Sequence, residues 1–270
     1  MGSSYGNNIL QLMKKKIIDN LKTITYALLI ALVIRSFLYQ PFYIPSSSME
    51  PNLLVGDRLF VSKYTYGYSR HSFPLSPNLS NNRIMFKEPK RGDVIVFKTS
   101  YKNDDFFLLR MICKLVRSCK TDYVKRLIGL PGDNIQFING DLYINKTQVI
   151  KNKIKNPPLE LNCGDSECFA FKEELPEGVT YNTIYRKHNG YTGTIEFNVP
   201  KDHYFFLGDN RDNSTDSRYL ARGPGYINKV DLVGKAKIIF FSNNKNKGHF
   251  LKFWNWNDSM RFNRFFTKIR

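Results

Sequence analysis

Two segments hold residues suited to act together: Pro45-Ser46-Ser47-Ser48-Met49-Glu50-Pro51 and Tyr123-Val124-Lys125-Arg126-Leu127-Ile128-Gly129-Leu130-Pro131-Gly132-Asp133. A serine hydroxyl is a poor nucleophile until a base takes its proton, so the chemistry depends on which base the chain offers. The Gly-x-Ser-x-Gly elbow is missing. The histidines His71, His188, His203 and His249 are scattered, and only His203 lies near a motif. A lysine is the better base, provided that it is neutral. Bringing its ordinary pKa of about 10.4 down to roughly 7–8 means disfavouring the charged form by on the order of 4 kcal/mol. That requires burial. Lys125 follows Tyr123 and Val124 and precedes Leu127-Ile128, where a strand draws the ammonium into a low-dielectric interior and alternation turns Arg126 to the other face. Lys63 and Lys98 sit at strand ends, and the remaining lysines lie in polar runs. Among Ser46, Ser47 and Ser48, the chemistry of the sequence alone does not choose.

Three further stretches accompany these two: Gly56-Asp57-Arg58-Leu59-Phe60-Val61-Ser62-Lys63-Tyr64, Arg91-Gly92-Asp93-Val94-Ile95-Val96-Phe97 and Gly208-Asp209-Asn210-Arg211-Asp212-Asn213-Ser214-Thr215-Asp216-Ser217-Arg218. In type and order the set resembles the type I signal peptidase family of bacterial Ser-Lys serine peptidases, from the apolar anchor to about Phe240. The resemblance implies Ser48 as nucleophile and Lys125 as general base, with the Ser46 hydroxyl and the Ser48 amide as oxyanion donors. It implies that Met49 flanks the nucleophile and shields the lysine from water, with Tyr123 as a further supporting residue. Ser214 is expected to hydrogen-bond the Lys125 amine and orient it, while Asp209, Asp216 and Arg218 form a structural charge network. The implied activity is removal of signal peptides from exported preproteins, after small residues, with no cofactor and no metal. Two other readings compete. A repressor-type Ser-Lys peptidase would be cytoplasmic and need a DNA-binding domain, for which there is no room before Ser48. A membrane-anchored β-domain that binds a partner without catalysis would leave Ser48, Lys125 and Ser214 incidental.

The elements that must position this chemistry begin with an anchor. Lys14, Lys15, Lys16 and Lys22 precede an apolar run from Ile24 to Ile34 that continues past Arg35 to Tyr39. No small-x-small cleavage pattern follows. The segment is therefore expected to be an uncleaved transmembrane anchor at 23–40 behind a basic cytoplasmic segment at 1–22, with Arg35 snorkelling to the headgroups. This puts the rest of the chain on the periplasmic side of a bacterial inner membrane. The net charge of +18, from 41 Lys+Arg against 23 Asp+Glu, calls for an anionic partner. Without a recognisable nucleic-acid module, a phospholipid surface is expected and nucleic acid is not.

Beyond Pro41 the chain reads as mainly β, with short β-branched and aromatic runs separated by turn signals. The expected strands include Arg58 to Val61, Asp93 to Phe97, Asn134 to Ile138, Asp141 to Ile144 and Lys235 to Phe240. Asn139-Gly140 predicts a hairpin. The expected architecture is an antiparallel β catalytic domain at 41–145 and 198–245, interrupted at 146–197 by a smaller β extension. The insert from Phe106 to Arg117 spaces its basic residues as an amphipathic helix does, to lie on the membrane or cover the barrel edge. The tail at 246–270 mixes aromatic and basic residues, as either a headgroup-zone or a packing segment would. Of Cys113, Cys119, Cys163 and Cys168, the last two bracket a turn-like loop and are the favoured disulfide.

Overall fold

A computed structural model describes residues 2–73, 82–100, 120–155, 167–186, 193–221, 223–244 and 256–270. The insert from Phe106 to Arg117, together with Cys113, Cys119 and Cys163, lies outside the described residues. Cys168 is disulfide-bonded.

Helix α1 (Gly2–Val33) begins well before the expected anchor and passes through a π-turn (Ile34–Leu38) into the first strand. Within it and the turn, the stretch Met13–Leu38 is long and apolar enough to cross a membrane, and its large apolar side chains face outward, Leu28 at 66% exposure. A face so apolar all round suits lipid rather than water.

The strands follow in chain order as β1 (Tyr39–Tyr43), β2 (Asp57–Ser62), β3 (Val94–Ser100), β4 (Lys120–Gly129), β5 (Asn134–Ile138), β6 (Asp141–Ile144), β7 (Thr147–Gln148) and β8 (Ile150–Lys153). They continue as β9 (Cys168–Glu174), β10 (Thr180–Arg186), β11 (Phe197–Asn198), β12 (His203–Leu207), β13 (Ile227–Asn228), β14 (Leu232–Ser242) and β15 (Thr267–Lys268). The principal sheet runs β1-β2-β14-β3-β4-β12-β13, with β15 added to β14. A second sheet runs β11-β5-β6-β7, and a third, β10-β9-β8, lies within the stretch 146–197. Every strand pair is antiparallel, as expected of a mainly β chain.

Side-chain type explains much of this layout. The long strand β14 and the aromatic β12 are rich in the residues that pack well on a pleated surface. The hairpin between β5 and β6 turns at Asn139 and Gly140, both at positive φ (51° and 81°), and pairs Ile138 with Asp141. This is the two-residue turn whose backbone twist matches the strands it joins. In β4 the alternation of burial lapses, and Lys125 to Gly129 are all buried. That pattern belongs to a strand covered on both faces. One core packs Ile44, Met49, Leu53 and Val61 against Val94 and Val96; another joins Ile135 and Phe137 to Leu175, in the turn after β9, and Tyr181 of β10.

Candidate active site

The serine turn follows β1 directly, and its conformation is fixed from inside. Met49 is 1% exposed within the core, and burial of such a side chain stabilises by roughly 1.5–3 kcal/mol. The amide of Glu50 donates to the Ser47 carbonyl (3.0 Å), and that of Leu53 to the Met49 carbonyl (2.9 Å). From outside, the loop after β12 clamps the same turn. The Asn210 amide donates to the Ser48 carbonyl (3.2 Å). Asn210 Nδ2 donates to the Ser47 carbonyl (3.2 Å) and Asn213 Nδ2 to Ser47 Oγ (2.7 Å).

Lys125 reaches this turn from β4, and its Nζ donates to Ser48 Oγ. Its side chain is buried, and desolvation lowers its pKa from 10.5 to about 8. Asp216 and Asp209 pull the other way, and the positive charge of Arg218 assists the drop. Burial wins because the carboxylates that oppose it are already engaged by arginines. Ser46 Oγ lies 3.4 Å from Ser48 Oγ, so two hydroxyls and one amine converge. They line a cleft of about 490 Å³ together with Ile44, Tyr123 and Thr215.

A frame of buried ion pairs surrounds the Ser48–Lys125 contact. The Arg126 guanidinium, wholly buried, grips both oxygens of Asp209 (2.7 and 2.8 Å), and Asn52 Nδ2 donates to the same carboxylate (2.7 Å). Asp216 takes Arg218 on both oxygens (2.9 Å each) and the Gly208 amide (3.0 Å). Burial would raise the Asp216 carboxyl, but the Arg218 charge and hydrogen bonds hold it below the ordinary range. Such bidentate pairs satisfy each partner and so avoid the cost of an unpaired buried charge. Behind them Arg211 pairs with Glu173 of β9 (2.8 and 2.6 Å), and the hydroxyls of Tyr181 and Tyr185 of β10 donate to Glu173 (2.9 and 2.7 Å). Arg211 Nε in turn donates to the Gly208 carbonyl (3.2 Å), and the Arg126 guanidinium lies 4.1 Å over the Tyr181 ring. The third sheet thus braces the loop that clamps the serine turn.

Several sequence expectations meet this geometry differently. Ser46, Ser48, Met49, Tyr123 and Lys125 converge on one cleft, and Tyr123 stacks on Phe97 at 5.9 Å. Asp209, Asp216 and Arg218 form ion pairs, with Arg126 as the unforeseen fourth member. The expected bond from Ser214 to Lys125 is not made. Among the described residues Ser214 Oγ, which is buried, has no hydrogen-bond partner, and the residue packs onto the backbone at Gly208, where an added Cβ would fall 2.2 Å from that oxygen. Lys63 also departs from its reading as a strand-end lysine. It is 2% exposed, and burial, reinforced by Arg35 and Lys98, lowers its pKa to about 8. Its Nζ donates to the carbonyls of Ser72 (2.7 Å) and His71 (3.3 Å), which makes it a structural pin. Asn52, Glu173, Asn210, Arg211 and Asn213 went unassigned in sequence; the last three stood in the quoted Gly208 stretch, but nothing there indicated what they grip.

The described geometry can be set beside known proteins. The profile of a family described as "Signal peptidase, peptidase S26" matches residues 17–241. The chain is 35% identical to the signal peptidase I of Rickettsia typhi over 275 residues, covering 94% of this chain and 95% of that protein. It is 36% identical to the signal peptidase I of Rickettsia conorii, with 90% of each covered. A crystal structure of a signal peptidase I from Enterococcus faecalis is 24% identical with a TM-score of 0.28, over 55% of this chain and 97% of that one.

Proposed function

Because the chain belongs to the signal peptidase family, peptidase S26, we propose that it is a membrane-anchored serine endopeptidase that removes signal peptides from exported preproteins. The observation that carries the mechanism is the contact of Lys125 Nζ with Ser48 Oγ in a buried setting that lowers the lysine to about 8. Near neutral pH and above, a useful fraction of the amine is unprotonated and can take the Ser48 proton. Ser48 Oγ then attacks the scissile carbonyl. The oxyanion that forms is met by the Ser48 amide and the Ser46 hydroxyl, and loss of one such donor costs about 10²–10³ in rate. The Lys125 ammonium gives its proton to the departing amine, leaving a Ser48 ester that water hydrolyses with Lys125 again as base.

The surrounding residues have positioning roles in this reading. Met49 keeps water from one side of the amine, Tyr123 walls the cleft, and Asp209, Asp216 and Arg218 hold the loop that clamps the serine turn. Ser214 is a packing residue in the resting state; orientation of Lys125 falls to its burial and to the Ser48 contact. Among the described residues β12 pairs with β4 only from Arg126 to Gly129, so the edge from Lys120 to Lys125 is open beside Ser48. An extended peptide can add there as a strand. The basic residues before the apolar stretch favour a cytoplasmic N-terminus and a catalytic domain on the periplasmic face of the inner membrane. Proposed boundaries are an anchor within 13–38, a catalytic β unit interrupted by the extension, and an aromatic-basic tail.

The test is cleavage of a radiolabelled preprotein by detergent-solubilised protein. Ser48→Ala and Lys125→Ala are expected to abolish processing while keeping the wild-type fold by circular dichroism. Wild-type rates in both variants would sink the dyad.

A further inference from the structure

A second cavity, of about 610 Å³, opens between the tail, the third sheet and the turn after Ser48. Five cations line it: Lys172, Arg261, Arg264, Lys268 and Arg270. Among the described residues, no lining side chain is acidic. Arg264 is committed to Asp57 behind the wall (2.6 Å), and Arg261 to the Val55 carbonyl (3.0 Å) and Ser242 Oγ (3.3 Å). Lys172 and Lys268 are exposed, and among the described residues their ammonium groups have no ion-pair partner. Beneath these charges the floor is apolar, built from Leu54, Ile239 and Ile269. A basic rim over an apolar floor fits an amphiphile with an anionic head better than a free anion.

The tail supplies an independent observation. Phe266 is 74% exposed at φ 57°, a left-handed backbone that a bulky side chain seldom adopts. The next two residues, Thr267 and Lys268, line the cavity, and Phe262, 57% exposed, lies one turn earlier. Aromatic rings held outward beside unpaired lysines are the pattern of a surface that rests in the headgroup zone. The net charge of +18 gives the chain the complementary sign for an acidic bilayer.

We propose that this cavity docks the phosphodiester head of an acidic phospholipid, with Lys172 and Lys268 at the phosphate, the glycerol and proximal chain on Leu54, Ile239 and Ile269, and Phe262 and Phe266 in the surrounding interface. The site rests on the membrane-anchored reading only for its supply of lipid. Its far wall is made by Tyr181 and Asn52, which also brace Arg126 and Asp209, so docked lipid contacts the frame of the serine turn.

The test uses the full chain in a neutral maltoside detergent, titrated with dihexanoyl phosphatidylglycerol below its micelle concentration. Binding is read from tryptophan fluorescence, since the two tryptophans, Trp254 and Trp256, both belong to the tail. Parallel titrations use dihexanoyl phosphatidylcholine, glycerol 3-phosphate and inorganic phosphate. Saturable binding of phosphatidylglycerol is expected, at least tenfold tighter than any of the three. Each basic residue near an anionic headgroup contributes about fivefold, so Lys172→Gln/Lys268→Gln should weaken it about 25-fold. An equal-charge control, Lys146→Gln/Lys201→Gln, should not. Equal affinity for inorganic phosphate or for phosphatidylcholine, equal weakening by the control pair, or no saturation would each overturn the proposal. No turnover is needed for the measurement, so failure here is distinct from failure of the Ser48 and Lys125 test.

Discussion

Replacement of Lys125 by Met tests whether burial is what tunes the proposed base. Each tenfold change in proton affinity is worth about 1.4 kcal/mol, so the drop from 10.5 to about 8 means that the folded state disfavours the Lys125 ammonium by on the order of 3 kcal/mol. The sign follows from proton linkage. Between pH 8 and 10.5 the unfolded chain holds the Lys125 proton and the folded chain does not, so stability rises with pH across that window. Below about pH 8 both states are protonated and the full penalty is present. Met fills a similar volume without charge, so Lys125→Met should be more stable than wild type by ~3 kcal/mol at pH 6. The gap should close progressively from pH 8 to 10.5. Denaturant unfolding of the detergent-solubilised protein at pH 6, 8 and 10 measures it, and subtraction of the variant removes titrations common to both. Wild-type preprotein cleavage should rise over the same approach to pH 8 as the amine loses its proton. A variant no more stable than wild type at pH 6, or a gap constant with pH, would refute desolvation as the cause.

Two further substitutions address the frame. In Gly208→Ala the new methyl would fall 2.2 Å from Ser214 Oγ and 2.5 Å from the Ser48 carbonyl, so the serine turn must shift; cleavage should fall at least 10²-fold, since small misplacement of reacting groups costs that much, and a wild-type kcat would exclude the close approach. Glu173→Gln strands the buried Arg211 charge and should destabilise by about 3–5 kcal/mol, read as a lower denaturant midpoint; an unchanged midpoint would mean that the third sheet does not brace the loop.

What the sequence disclosed depended on the range of the interaction. The Asn139-Gly140 hairpin is local: positive φ at two adjacent residues and alternating flanks determine it, and its strands fall at Asn134–Ile138 and Asp141–Ile144 as expected. The burial of Lys125 was legible from Val124, Leu127 and Ile128 around it in β4, and only the resemblance of its segment singled it out from other strand lysines. The Glu173–Arg211 pair was not, since 38 residues separate the partners and each alone looks like a surface charge. Lys63 misled for a different reason: the carbonyls of His71 and Ser72 that it reaches lie nearby in sequence but belong to a short 3-10 turn, Arg70–Ser72, with no apolar signature. The Ser214 bond, implied by resemblance alone, gave way to packing against Gly208.

The path from helix to Ser48 sets a reach. Leu38 ends the π-turn and Ser48 stands ten residues later, a span of at most ~35 Å even if fully drawn out. Half of that path is β1, held residue by residue from Tyr39↔Ser62 to Tyr43↔Arg58, so it acts as a stiff tether rather than a slack one. In the proposed membrane-anchored reading, the apolar helix and Ser48 behave as a fixed-height gauge. In the membrane-anchored peptidase proposed above, peptide bonds presented at that height above the bilayer are the ones expected to be cut, and equally good sequences carried farther out are expected to be passed over.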